Sequence, residues 1–231
     1  MSMMHSPLIS ETLFQLGPLP IGKAVAVTWG LLALLAGGSW LLTRRLRLRP
    51  TRWQSLLELL VAVLDGQIRD TMQVSPAPYR ALIGSLFLFI LAANWAELIP
   101  GIEPPTASLE TDAALALIVF VASIACGVAS RGPAGYLRTF AEPSWVMIPL
   151  NIVEQLTRTF SLSVRLFGNI MSGVFVLGIA LSLAGLLVPI PFMALDLLTG
   201  AIQAYIFSVL AMVFIGAAVK ETAGTHPASK E

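Results

Sequence analysis

Polar and charged side chains recur at spacings of three or four residues along one of the most apolar stretches of the sequence. They are Glu154, Arg158, Ser161, Arg165, Asn169 and Ser172. At roughly 100° per residue, these spacings place all six on one narrow face of a helix. We call this face the polar stripe. Most of the residues around it are Leu, Ile, Val, Phe or Ala, so one side of an apolar helix presents charge.

Arg165 is the member of the polar stripe with the strongest chemical implication. It is the only Lys, Arg, Asp or Glu between Phe160 and Leu187. An arginine stays protonated even when it is buried, and a charge at mid-membrane costs at least about 2.5–3.5 kcal/mol. Such a charge usually faces a water-filled path or a partner carboxylate. The alternative is a purely structural role, with Arg165 neutralised by Asp196.

A second polar face and several structural alternatives accompany Arg165. Asp196, Thr199 and Gln203 are spaced three and four residues apart, again on one helical face. Glu154 and Arg158, four residues apart, could simply pair with each other. Asn169 and Gln203 could be ordinary hydrogen bonds between helices, and Gly168 and Gly173 could serve close helix packing.

The composition is that of an integral membrane protein. Of 231 residues, 56% are hydrophobic and only 12% are charged, whereas a soluble domain carries about 25% charged residues. The single Cys126 excludes an internal disulfide, and His5 and His226 lie in polar tails, which argues against a histidine metal site. Neither an HExxH nor a GxSxG motif is present. We therefore expect no cofactor, no bound metal and no enzymatic chemistry on this chain.

The elements that must position these residues follow from hydropathy and charge. Apolar runs predict spans at 24–42, 79–99 and 112–129, followed by two overlong segments at 149–183 and 192–219. Charges scattered through 53–72 favour a helix on the membrane surface. The fold class is thus an all-α membrane protein with about five transmembrane helices plus one surface helix, the last two spans long and strongly tilted.

Loop charges predict the topology and the domain organisation. Five arginines between residues 44 and 52 place the end of the first span in the cytoplasm and the N-terminus outside. We therefore expect a periplasmic N-terminal segment at 1–22, a single membrane domain at 23–221 and a cytoplasmic tail at 222–231. No internal repeat is evident, which argues against a repeat-built secondary transporter.

Four stretches resemble a known family over about residues 76–221. SLSVRLFGNIMSG, residues 161–173, is close to the signature S-L-x-x-R-L-F-G-N-x-x-x-G of subunit a of F-type ATP synthases, the stator beside the rotating ring of c subunits. AIQAYIF resembles the L-Q-A-F/Y-I-F run in the last helix of that family. ANWAELIPG and PPTASLETDAALAL resemble its N-L-x-x-x-I-P and P-T-A-D-L-N-x-T-x-A-L-A-L stretches.

The resemblance implies ion translocation through two half-channels lined by the last two helices. It implies that Arg165 faces the carboxylates of the c-ring, that Gln203 lies across from Arg165, and that Asn169 belongs to the signature. Glu154 resembles an acid of the cytoplasmic half-channel, and Asp196 lies nearer the periplasmic side. The implied partners are the c-ring, b-type peripheral stalk subunits and the rest of the ATP synthase complex in a bacterial inner membrane, with no nucleic acid.

Departures from the family pattern suggest a divergent branch, such as the sodium-type or N-type ATPases. Val174 stands where many members place a carboxylate, so Asp196 is expected to serve alone where a titratable pair often serves. Ser108 replaces the usual Asp of P-T-A-D-L, and Glu110 stands where Asn is common. The alternatives are a stand-alone channel or secondary transporter that binds an anion at Arg165, and a structural membrane scaffold.

Overall fold

Six α-helices and one β-hairpin make up the part of the chain that the computed structural model describes, which comprises residues 12–16, 19–44, 52–99, 104–141, 147–184 and 189–220. The hairpin pairs β1 (Thr12–Leu16) with β2 (Leu19–Gly22) in antiparallel register. The helices are α1 (Lys23–Thr43), α2 (Arg52–Met72), α3 (Arg80–Trp95), α4 (Leu109–Ala141), α5 (Met147–Ala184) and α6 (Pro189–Lys220). Short 3₁₀ turns at Ala96–Leu98 and Pro105–Ala107 lie between α3 and α4.

Five of these helices are long and apolar enough to cross a membrane, namely α1 and α3 to α6. The sixth, α2, carries acidic and basic residues among its leucines, as predicted for a surface helix. The predicted all-α membrane architecture with five spans is therefore confirmed. The hairpin ahead of α1 is an addition that the sequence did not reveal, because its residues alternate poorly between apolar and polar types.

The core lies where α3, α4, α5 and α6 meet. Its members are almost completely shielded from solvent, among them Ile90 of α3, Val119 of α4, Leu166 of α5 and Phe207 of α6. In contrast, α1 touches the bundle only through a few leucines and exposes its tryptophans, with Trp29 73% exposed. An apolar helix exposed all round is suited to lipid rather than water.

The helix α4 continues past the end predicted for the third span. SRGPAGYLR, residues 130–138, follows the third predicted span and has the composition of a loop, but the structure continues the helix through it to Ala141 after a kink at Gly132. Gly132 has φ 74°, in the region that favours glycine. Pro133 follows it, and a residue before proline is disfavoured from helical dihedrals. The break is thus local, and helix resumes directly after it.

The last two helices are longer than a perpendicular crossing requires. At 1.5 Å per residue, the 38 residues of α5 and the 32 of α6 correspond to about 57 Å and about 48 Å, against a hydrocarbon core of about 30 Å. Pro149, Pro189 and Pro191 all lie in the first turn of their helix, where the missing N–H costs nothing. Continuous helices of this length hold the polar groups of α5 and α6 in fixed register.

Candidate functional site: a polar path between α3, α5 and α6

The polar stripe of α5 lies beside the face with which α5 packs onto the bundle. Leu162, Leu166 and Ile170 are buried at four-residue spacing and define the packing face. The stripe is rotated from that face by roughly a third of a turn. All its members are exposed except Asn169, which is half-buried. The charged side of α5 therefore points away from this chain's own core.

Arg165 is exposed and has no ion pair or hydrogen bond to any other residue in the described part of the chain. The structural alternative, in which Asp196 neutralises Arg165, is therefore not what the structure shows. A permanently charged side chain without a partner among the described residues usually faces water or a partner carboxylate when it lies within a membrane.

Glu154 and Arg158 do form the ion pair that their spacing permits. Both side chains are exposed, and the guanidinium of Arg158 also lies over the ring of Phe214 on α6, 5.6 Å from its centroid. A cation above an aromatic face is electrostatically favourable. Arg158 thus contacts both Glu154 and α6, whereas Arg165, two turns further along α5, makes no such contact with a described residue.

Asp196 lies in the first part of α6 and faces α5 at Gly173. A Cβ placed on Gly173 would come within 3.0 Å of Asp196 Oδ1 and 3.2 Å of its Cγ. A side chain at position 173 would therefore push the carboxyl group of Asp196 away, and the second glycine of GNIMSG lets that carboxyl group lie against the surface of α5. The sequence suggested only close helix packing for Gly173; the structure adds a specific neighbour.

Asp196 shares its surroundings with a second carboxyl group, that of Glu97. Both line a small cleft between the end of α3 and the start of α6, together with Asn94, Leu98, Leu177, Met193 and Leu197. Two carboxyl groups that share one cleft disfavour each other's ionisation. Asp196 was expected to serve alone, and the structure places a second carboxyl group, from another helix, in the same cleft. The signal was present in ANWAELIPG, whose glutamate follows three residues after Asn94.

Asn94 fixes the cleft by joining three segments. Its Nδ2 donates a hydrogen bond of 2.9 Å to the carbonyl oxygen of Gly200 on α6, and its Oδ1 accepts one of 2.9 Å from Thr106 Oγ1. Trp95 Nε1 donates to the carbonyl oxygen of Leu197 at 3.2 Å. Gly200 is needed here, because a Cβ would lie 3.0 Å from Asn94 Cβ.

Buried polar atoms without a hydrogen-bond partner, among described residues, concentrate in a few side chains. They belong to Glu97, Asp112, Asp196 and Gln203. Buried polar groups are normally satisfied, and an unpaired carboxylate in an apolar interior is costly. Glu97, Asp196 and Gln203 are therefore candidates for groups that bind water or an ion, because their polar atoms have no partner among the described residues.

Gln203 is buried, 7% exposed, on the same face of α6 as Asp196. Its Nε2 has no partner in the described part of the chain, so it forms no hydrogen bond with Arg165 there. The simple alternative of Gln203 as a satisfied interhelical hydrogen bond is therefore not observed. Among described residues, no group of three or more His, Cys, Asp or Glu side chains is arranged to hold a metal ion.

Comparison with known proteins identifies the family. The family model of the ATP synthase A chain matches residues 25–216. ATP synthase subunit a 2 of Bradyrhizobium sp. is 52% identical over 96% of this chain and 99% of its own length. ATP synthase subunit a 1 of Chlorobaculum parvum is 50% identical over 94% and 97%, and ATP synthase subunit a of Albidiferax ferrireducens is 46% identical over 90% of each chain. With its five membrane-spanning helices and its arginine signature, this chain belongs to the ATP synthase A chain family, the subunit a of ATP synthases.

Proposed function

We propose that this chain is the non-catalytic stator subunit that carries ions between two half-channels against a ring of c subunits, with Arg165 separating them. The observation that supports this most directly is the exposed, unpaired guanidinium of Arg165 on a membrane-spanning helix. Lipid does not neutralise such a charge, whereas a carboxylate on a neighbouring subunit does. The bond-making chemistry of ATP belongs to other subunits of the complex.

Arg165 acts on the ring carboxylate through charge alone. A ring carboxyl group that arrives loaded with its ion meets Arg165⁺, which favours the ionised form and releases the ion. A bare carboxylate does not re-enter lipid, because an unpaired charge is too costly there. It therefore reloads from the other half-channel before the ring turns further. The same positive charge repels cations and so blocks a direct leak.

The remaining site residues supply the two access paths. On the outer side, Asp196 and its neighbour Glu97 form an acid pair that passes ions toward the ring. On the inner side, Glu154 receives them, with its charge balanced by Arg158. Gln203 and Asn169 hydrate or orient the ion between these ends. The buried, unpartnered atoms of Asp196 and Gln203 support this assignment.

The orientation follows from charge. Arginines concentrated between residues 44 and 52 place the junction of α1 and α2 in the cytoplasm, with the N-terminus periplasmic and the C-terminus cytoplasmic. In this orientation the outer cleft at Asp196 opens toward the periplasm of a bacterial inner membrane. The exposed lipid-facing helices leave room for b-type stalk subunits beside the c-ring.

The decisive experiment is ATP-driven ion pumping by the reconstituted complex carrying Arg165→Ala. We expect pumping to fall to background, because the ring carboxylate is no longer held ionised and the barrier to leakage is gone. Arg165→Lys should restore little, since a buried lysine loses its proton where arginine keeps it. The control is Gly178→Ala on the same helix, because a Cβ at Gly178 meets no atom within 4 Å. Pumping by Arg165→Ala at the wild-type rate would refute the proposal.

A further inference from the structure

A second feature of the molecule, independent of the ion path, is an apolar groove under α2. It has a volume of about 310 Å³ and lies between α2 and the wall formed by α3 and α6. Its apolar lining comes from four leucines and a valine of α2 with Phe87 and Met212, and its polar lining is limited to Gln67, Tyr205 and Ser208. We call it the α2 groove.

The α2 groove is open to the surroundings rather than enclosed. Leu56, Leu59 and Val63 line it and remain 57%, 60% and 62% exposed. These residues follow one another at helical spacing along α2, as a continuous apolar edge. The opposite wall belongs to membrane-spanning helices, since Phe87 and Tyr205 lie within spans. The medium that meets this groove is therefore hydrocarbon.

Charge at one end of the groove indicates which lipid it takes. Leu56 lies one helical turn after Arg52, the first residue of α2, and Arg52 closes a run of five arginines that begins at Arg44. Arginine binds phosphate with a planar set of donors and is weakly hydrated. Basic clusters beside a membrane segment attract anionic lipid headgroups. The opposite end of α2 is attached to α3 and α6 by contacts within the chain. These are the ion pair of Asp65 with Arg80 and the packing of Met72 against Gly216.

We propose that the α2 groove binds one anionic phospholipid of the cytoplasmic leaflet. One acyl chain lies along the leucine edge of α2 against Phe87 and Tyr205, and the phosphate lies at Arg52. The volume is at the small end of ligand pockets, which suits one acyl chain rather than an entire lipid. The lipid fills the space between α2 and α6 at the end of α2 that lies opposite to the ion pair of Asp65 with Arg80.

The test compares two photoactivatable phospholipids with identical diazirine acyl chains, one phosphatidylglycerol and one phosphatidylcholine, in vesicles that contain the reconstituted complex. Crosslinked peptides are mapped by mass spectrometry. We expect phosphatidylglycerol to label groove residues about fivefold more than phosphatidylcholine, the preference that one basic contact supports. Arg52→Gln should remove this preference, whereas Arg69→Gln, an equal charge change near the other end of α2, should keep it.

A second pair of variants tests the groove itself. Val63→Trp fills the space and should reduce labelling by both lipids, whereas Leu117→Trp on the exposed side of α4 should leave labelling unchanged. Equal labelling by the two lipids in wild type and Arg52→Gln would overturn the proposal. The proposal would also be overturned if neither lipid labelled the α2 groove in the complex and the groove residues crosslinked to another subunit instead. The occupant of the groove would then be a protein helix.

Discussion

At the scale of single residues, the acid pair of Glu97 and Asp196 leads to the first prediction. Both carboxyl groups line one cleft and each has an unpartnered buried oxygen. Because an amide carries neither a titratable proton nor a negative charge, Asp196→Asn should reduce ATP-driven pumping at least tenfold, below the range of about 10²–10⁴ for a lost proton-transfer group. Glu97→Gln should reduce pumping less than Asp196→Asn does, because Asp196 is the member of the pair that lies against α5.

The control for this pair is Asp112→Asn. Asp112 is also buried, 0% exposed, but does not line the cleft that Glu97 and Asp196 share. We expect its effect on pumping to be smaller than that of Asp196→Asn. Equal, near-normal pumping in vesicles that contain either variant would contradict the assignment of Asp196 to the path.

Gly173 gives a second prediction at this scale, and here the change adds a single methyl group. In Gly173→Ala the new Cβ lies 3.0 Å from Asp196 Oδ1, so the carboxyl group has to move away from α5. The required shift is only a few tenths of an ångström, so we expect ATP-driven pumping to fall clearly but by less than the roughly hundredfold loss that a 1 Å misplacement can cause. ATP-driven pumping is measured with purified complex, and the assembly of the complex is checked by its subunit content.

Gly168→Ala is the matched control for Gly173→Ala. Gly168 lies in the same signature and on the same helix, but a Cβ there meets nothing within 4 Å. A glycine-to-alanine change in a helix raises intrinsic helix propensity equally in both cases. If Gly168→Ala impaired pumping as much as Gly173→Ala, the contact with Asp196 would not be the reason.

At the scale of elements, Asn94 joins α3, α6 and the 3₁₀ turn before α4, and this predicts a loss of stability on its removal. Asn94→Ala leaves the Gly200 carbonyl and the Thr106 hydroxyl without their partner. The expected loss is about 1–3 kcal/mol for a buried group left unsatisfied. Thermal unfolding in detergent measures it, and Ser85→Ala, which removes only a local hydrogen bond of an exposed side chain, should leave the transition within error. An unchanged midpoint for Asn94→Ala would show that these bonds carry no net stability.

The same elements show how far sequence reasoning reaches. Five spans and the surface helix follow from hydropathy, because apolar length is set by the bilayer and not by the neighbours of a helix. The polar stripe follows from periodicity along α5 alone. The proximity of Glu97 to Asp196 could not be predicted from the sequence, because the two residues are 99 positions apart. No local sequence pattern encodes which helix ends meet. The helical continuation after Gly132 was hidden by a Gly-Pro pair that normally marks a loop.

At the scale of the whole molecule, the two polar regions of the chain differ in how they are covered. The acid pair is half-buried in a cleft between the end of α3 and the start of α6, whereas the polar stripe with Arg165 is exposed along α5. A path from the outer cleft to the stripe therefore ends on the surface of this subunit. It becomes a complete route only when another surface with its own ion-binding groups covers the stripe. In the proposed function, translocation is thus a property of the assembly, in which this chain supplies access and a fixed charge.

This division predicts that the isolated subunit does not conduct ions by itself. The purified chain, reconstituted at the same protein-to-lipid ratio as the intact membrane sector, should give no ion flux above empty vesicles under an imposed potential, because its polar stripe then faces lipid, which does not solvate ions. The intact membrane sector should conduct. Conduction by the isolated chain at the rate of the intact sector would instead support a stand-alone channel. The contribution of the fixed charge is measured in the intact sector: Arg165→Ala should raise its passive cation flux, whereas Arg158→Ala, which removes a cation that is already paired with Glu154, should raise it less.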